Sequence, residues 1–232
     1  LQNIHQIKIF FALTLFILSQ NFAMTAQSIQ TYSILCLGDS YTIGESVAEN
    51  QRFPEQAVDI LRKVKFNFSA PDIVAKTGWT TDELAEAIKQ SKLKSQYDFV
   101  TLLIGVNNQY RERDLNNYSE EFAALLQTAL KFAGNKKERV IIISIPDWGV
   151  TPFIAQDGKR RSAQTLSSQI DSFNSVNKSI AAEQGIFYID ITPHSRRAKK
   201  DRALIANDGL HPSGKMYNYW ARKVAERITE IL

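Results

Sequence analysis

Ser40, Asp208 and His211 are the residues of this 232-residue chain whose types and spacing suit nucleophilic chemistry. A serine hydroxyl is a weak nucleophile until a neighbouring base takes its proton. Histidine fits that task because its unperturbed pKa lies near neutrality. His211 follows Asp208 by three residues in a loop punctuated by Gly209 and Pro212. One short loop can then carry both groups, the carboxylate holding one ring nitrogen and the other left for Ser40. His194 is the rival base, with Asp190 four residues before it, but Asp190 falls at the end of a strand and His194 fits a surface position. Attack on an ester carbonyl puts negative charge on its oxygen, so donors must already point there. The Ser40 N–H, the Gly78 N–H and the Asn107 side-chain amide are the candidates, each just past a strand or turn. None is decisive alone. Gly-Asp-Ser at 38–40 is also an ordinary turn, Gly78 would serve a positive-φ turn, and loop asparagines commonly make turns.

Residues so far apart need a scaffold that gathers strand ends. The apolar run at 34–37 stops at Gly38, as expected of a strand buried on both faces of a parallel sheet. Further strands are expected at 64–68 or 72–75, then at 97–104, 139–146 and 186–191. Helices are expected at 53–63, where Pro54 suits the first turn, from Thr81 onward with Thr80 or Thr81 as cap, and at 115–134, where Gly134 is the stop. Two more are expected at 162–184 and after Gly214, the latter burying Tyr217, Trp220, Val224 and Ile228. Residues 41–50 are expected to form a polar loop. The long loop at 147–161 carries Trp148 and Phe153 and is expected to shape substrate choice. Alternating strands and helices specify an α/β sandwich with about five mostly parallel strands. Ligands in such sheets bind beyond the carboxyl ends of the strands, where Ser40 and Asn107 fall.

With 44% hydrophobic and 22% charged residues, the composition is that of one globular domain. A net charge of +4 does not by itself imply nucleic acid. The basic cluster Arg196, Arg197, Lys199, Lys200 and Arg202 is expected to be a solvated surface segment, since no aromatic platform is interleaved with it. The single cysteine, Cys36, permits no internal disulfide and is expected to be a small buried side chain. No Cys/His cluster offers a zinc site. At the N-terminus, Lys8 precedes an apolar run at 9–19 and small residues at 23–26. That is the pattern of a secretory signal peptide, and the run is too short to span a bilayer comfortably. The expected division is a leader over 1–26 and one domain over 27–232, with export to the periplasm or beyond and no stable membrane insertion once the leader is removed. An uncleaved anchor is the alternative.

Gly38-Asp39-Ser40, Gly78, Gly105-Val106-Asn107 and Asp208-Gly209-Leu210-His211-Pro212 occur in the order of the four blocks of the SGNH, or GDSL-type, serine hydrolases. The chain resembles that family from about Tyr32 to Leu232. The resemblance implies a flavodoxin-like three-layer α/β/α fold and Ser40 as nucleophile, with His211 as base and Asp208 as its orienting partner. It also implies an oxyanion hole of Ser40, Gly78 and Asn107, and neither metal nor organic cofactor. Two positions depart from the pattern. Tyr41 follows Gly-Asp-Ser where the family name has leucine, and Asn108 stands where many members have aspartate. The expected activity is hydrolysis of carboxylic esters, with short acyl groups because no long apolar lid is evident. Tyr41, Trp79, Tyr110 and Trp148 are the aromatic residues expected nearest the substrate. Trp79, Tyr110 and Trp148 could stack on sugar rings, although aromatics near such loops more often pack. The alternatives are an O-acyltransferase using the same site and a non-catalytic flavodoxin-like binding module.

Overall fold

Five parallel strands, in the order β2-β1-β3-β4-β5, make the centre of the molecule. They are β1 (Ile34–Gly38), β2 (Asp72–Ala75), β3 (Phe99–Leu103), β4 (Val140–Ile143) and β5 (Phe187–Ile189). The computed structural model describes residues 30–158 and 160–232, so the expected leader lies outside the described residues. Every residue of β1, β3 and β4 is buried, as unbroken apolar runs covered on both faces must be. The register sets Gly38 beside Ala75 and Leu103, so the first three strands end level with one another.

The connections decide which face each helix covers. A crossover between parallel strands is right-handed, so the direction of travel along the sheet sets the face. The chain moves one way from β1 to β2 and the opposite way thereafter. The helix α2 (Phe53–Lys63) therefore covers one face. The helices α3 (Thr81–Gln90), α5 (Leu115–Phe132) and α6 (Ala163–Gln184) cover the other. The last helix, α8 (Gly214–Thr229), comes after the one-turn α7 (Thr192–Ser195) and returns to pack on α2. Phe53 of α2 meets Tyr217 and Trp220 of α8 at ring centroid distances of 6.5 and 6.3 Å. All three rings are fully buried. The result is a three-layer α/β/α sandwich of flavodoxin-like strand order.

Of the two stretches expected for the second strand, Asp72–Ala75 forms it, and Phe68 of the other only bridges to Tyr32. The structure corrects two expectations. Residues 41–50 are not simply a polar loop. They begin inside a one-turn helix, α1 (Ser40–Ile43), whose Tyr41 and Thr42 are buried. Gly38 permits this, because a Cβ there would lie 2.1 Å from Thr42 Oγ1 and 2.4 Å from the Leu103 carbonyl oxygen. Second, Arg196 is not simply a solvated member of the basic cluster. Its Nε donates to Asp147 Oδ2 at 2.8 Å and its Nη2 to Asp171 Oδ1 at 2.7 Å. The Asp147 side chain is wholly buried, and a buried charge needs such a partner. This ion pair fastens the start of the 147–161 loop to α6.

Candidate active site

Ser40, Gly78 and Asn107 each follow the end of a strand, β1, β2 and β3 in turn, and Asp208 and His211 lie in the loop before α8. Ser40 opens α1 immediately beyond β1. Asp39 caps that helix, its Oδ1 accepting from the Tyr41 N–H at 3.0 Å. The Thr42 and Ile43 N–H groups donate to the Asp39 carbonyl. Among the described residues the Ser40 N–H has no partner, so it is free to donate to a ligand. Gly78 follows β2 with φ of +89°. Its N–H is likewise without a partner among the described residues, while its carbonyl accepts from Arg111 Nη2 at 2.6 Å. Asn107 lies in α4 (Val106–Tyr110), the turn after β3. Gly105, with φ of +130°, lets that turn pass Tyr118, whose hydroxyl a Cβ would meet at 2.4 Å.

Asn107 donates one amide hydrogen to the Trp79 carbonyl at 2.9 Å, leaving the second for the cleft. Asn108, the departure from the family pattern, points elsewhere. Its Oδ1 accepts from the Thr81 N–H at 3.1 Å and its Nδ2 donates to Thr81 Oγ1 at 2.6 Å. It ties the turn after β3 to the start of α3, while Asn107 is held through Trp79.

Asp208 and His211 form a compact pair. His211 Nδ1 lies 2.5 Å from Asp208 Oδ2, and Asp208 Oδ1 accepts from the Leu210 and His211 N–H groups at 2.9 Å each. Burial works against ionisation of Asp208, but hydrogen bonds from Ser46, His211 and these amides hold its carboxyl down to about 2. The carboxylate is thus charged across the neutral range. His211 Nε2 makes no hydrogen bond among the described residues.

Ser40, Gly78, Asn107 and His211 line one cleft of about 190 Å³. The Ser40 hydroxyl and the imidazole face it together, with no hydrogen bond joining them in this structure. Tyr41, Tyr110 and Trp148 also line it, as does Phe153. Tyr41 lies beside His211, its ring edge-on to the imidazole at 5.6 Å. Trp79 is not among the lining residues; it contributes its carbonyl to Asn107 instead. His194 lies apart, stacked on Tyr219 at 3.7 Å, with burial and Arg197 lowering its pKa. Its expected partner Asp190 is occupied by Ser144 and the Thr192 N–H. Cys36 is buried inside β1, and that burial pushes its thiol up to about 12.

Two contributors escape sequence reasoning. Arg161 is nearly buried beside Asp157 and stands over Tyr110 and Trp148, 5.6 and 5.4 Å from their ring centroids. Ser46 donates to Asp208 Oδ2 at 2.7 Å from a residue with φ of +66°. Neither has a spacing signal, because both meet their partners only through the fold.

Asp39 gives the site region a pH dependence. Burial pushes its carboxyl up to about 7, the Tyr41, Asp39 and Gly105 N–H groups offsetting part of the rise. An unfolded aspartate titrates near 4. Between those values the folded chain keeps a proton that the unfolded chain releases, so stability falls as pH rises through this window. Asp39→Asn keeps the acceptor for Tyr41 and cannot ionise. Its thermal midpoint is expected to match wild type near pH 4 and to exceed it by several degrees at pH 8, where the penalty amounts to about 2–4 kcal/mol. Equal midpoints at both pH values would refute this role for burial.

Residues 36–219 match the GDSL-like Lipase/Acylhydrolase family, and the chain belongs to it. It is accordingly a carboxylic ester hydrolase of the GDSL type. Among solved structures, a lipase/acylhydrolase from Enterococcus faecalis is similar with a TM-score of 0.68 at 17% identity, over 87% of this chain and 97% of that one. Axe2, an acetylxylan esterase from Geobacillus stearothermophilus, is similar with a TM-score of 0.63 at 21% identity, over 87% of this chain and 96% of that one. The psychrotrophic esterase EstA from Pseudoalteromonas sp., in a structure inhibited by monoethylphosphonate, is similar with a TM-score of 0.57 at 15% identity, over 86% and 95%. At these identities the likeness bears on the fold. Comparison with curated proteins gave no match.

Proposed function

We propose that the chain is a serine esterase acting on short-acyl carboxylic esters, O-acetyl groups on carbohydrate among them, through an acyl-enzyme on Ser40. The observation that carries this reading is the arrival of Ser40 and His211 in one cleft, with Asp208 bonded to the imidazole. As the ester seats, the Ser40 hydroxyl turns to His211 Nε2, a bond commonly long or absent until substrate is bound. Ser40 Oγ attacks the carbonyl carbon while Nε2 takes the hydroxyl proton. The carbonyl oxygen becomes an oxyanion facing the Ser40 N–H, the Gly78 N–H and the second Asn107 amide hydrogen. Collapse breaks the ester bond, and the imidazolium returns the proton to the departing alkoxide. Water then attacks the acyl-enzyme with the same proton path, releasing acid and free Ser40. Asp208 holds the Nδ1 hydrogen and stays ionised throughout.

Short acyl groups are supported by the size and stiffness of the cleft. About 190 Å³ accepts a short chain and leaves most of a fatty chain in water. Its wall is braced, since Trp148 Nε1 donates to Gln109 Oε1 at 2.8 Å and Gln109 Nε2 to Gln169 Oε1 at 2.7 Å. Carbohydrate is supported by Tyr110, an exposed aromatic on the cleft, and by the acetylxylan esterase among the fold relatives. Trp148 is too buried to offer a stacking face.

The reading is tested by trapping. Brief reaction with an aryl acetate, or inactivation by an alkyl phosphonate, should add one acyl or phosphonyl group to the peptide containing Ser40. A label on any other residue overturns the mechanism. The acyl limit has its own test in Phe153, which packs 6.2 Å from Trp148 and is only partly buried. Phe153→Ala is expected to raise kcat/KM for hexanoyl relative to acetyl esters about tenfold, as two further methylenes bury at roughly 0.8 kcal/mol each. An unchanged ratio means that this wall does not set chain length.

A further inference from the structure

Ser46 stands in a left-handed conformation, φ +66°, on the exposed segment after α1. A non-glycine residue rarely occupies that region, and a strained residue is a reason to look for a function. Its hydroxyl reaches across the fold to Asp208 Oδ2 at 2.7 Å, the same oxygen that lies 2.5 Å from His211 Nδ1. One carboxylate oxygen thus receives both the imidazole and a hydroxyl from the nucleophile's own segment, six residues after Ser40.

We propose that Ser46 is a positioning residue for the acid–base pair, holding Asp208 in place and drawing charge from the oxygen that faces the imidazole. The inference rests on the catalytic roles proposed for Asp208 and His211. Its physical content is a competition for one acceptor. With the Ser46 donor present, Oδ2 is a weaker acceptor and holds an imidazolium less tightly. Without it, Oδ2 favours the protonated imidazole, and the base becomes available only at higher pH. Ser46 also bridges the two halves of the site, because its segment follows the nucleophile while Asp208 belongs to the loop before α8. The other ionisable groups around this pair are Asp39 and Tyr41 at α1, Glu45 beside Ser46, and Tyr217 of α8. Both tyrosines are held well above their usual range by burial, so neither titrates near neutrality.

The test compares Ser46→Gly with Ser46→Ala. Both remove the hydroxyl, but glycine relieves the left-handed strain and alanine keeps it. Both are expected to lower kcat about fivefold with little change in KM, the scale of one partly exposed hydrogen bond to a charge. Both should move the acid limb of kcat/KM up by about half a pH unit, while only alanine lowers the thermal midpoint. The His211 ring C–H resonances, followed by NMR over the same pH range, assign the movement to the imidazole rather than to Asp39. A wild-type limb and kcat in Ser46→Gly overturn the inference even if Ser46→Ala is poorly folded. The two readings separate cleanly: trapping on a residue other than Ser40 defeats the esterase mechanism, whereas trapping on Ser40 with an unmoved limb in Ser46→Gly defeats only the role of Ser46.

Discussion

Ser40→Ala is expected to lower hydrolysis of short-chain aryl esters by about 10⁴- to 10⁶-fold, the range seen when a serine nucleophile is removed. The thermal midpoint should stay close to wild type. The Ser40 hydroxyl makes no hydrogen bond among the described residues and Ser40 lines the cleft, so its loss orphans no partner. What disappears is the proposed acceptor of the acyl group. Residual catalysis would come from the backbone N–H at position 40 and the Gly78 and Asn107 donors, facing the carbonyl oxygen while water attacks directly. Initial rates with an aryl acetate, set against a melting curve of the same preparation, separate a chemical loss from a folding loss. Hydrolysis surviving at the wild-type rate would falsify the nucleophile assignment.

Asp208→Asn is expected to cost about 10⁴-fold in kcat with KM nearly unchanged. The carboxylate does two separable things here. Oδ1 accepts two backbone N–H groups that shape the loop, and an amide oxygen can keep that role. Oδ2 faces His211 Nδ1, and an amide NH₂ in that place is a donor. The imidazole must then present a lone pair at Nδ1 and carry its hydrogen on Nε2, where it can no longer accept the serine proton. The loop should fold and the ester should bind, while proton transfer fails. A variant losing less than tenfold in kcat would mean that Asp208 shapes the loop and does little for the base.

Much of the scaffold is legible because burial on both faces leaves long apolar runs. Val140–Ile143 and Phe99–Leu103 could hardly be anything but interior strands, and Phe53–Lys63 is bounded by Pro54 and by its buried stripe. Short elements escape for the opposite reason. Ser40–Ile43, Val106–Tyr110 and Thr192–Ser195 are too brief to show a period. Tyr41 and Thr42 look polar by neighbourhood, yet the close approach that Gly38 allows pulls them inside. The candidate site residues are visible through their types and order. Their supports are not, since Ser46, Arg161 and the Trp79 carbonyl are recruited across the fold by contacts no local window contains. Arg196 is the clearest case: within its basic run it looks solvated, and only the buried Asp147 carboxylate explains it.

The docking of α8 on α2 has a temporal consequence. Gln56 of α2 donates to the Gly214 carbonyl at 3.0 Å and accepts from Asn218, so the loop bearing Asp208 and His211 is anchored through the final helix. Ser40 follows the first strand and His211 lies in the last loop, so a partly folded chain lacks the proposed reactive centre. During refolding, recovery of turnover is therefore expected to require the docking of α8 on α2 and not to precede the signal from the sheet.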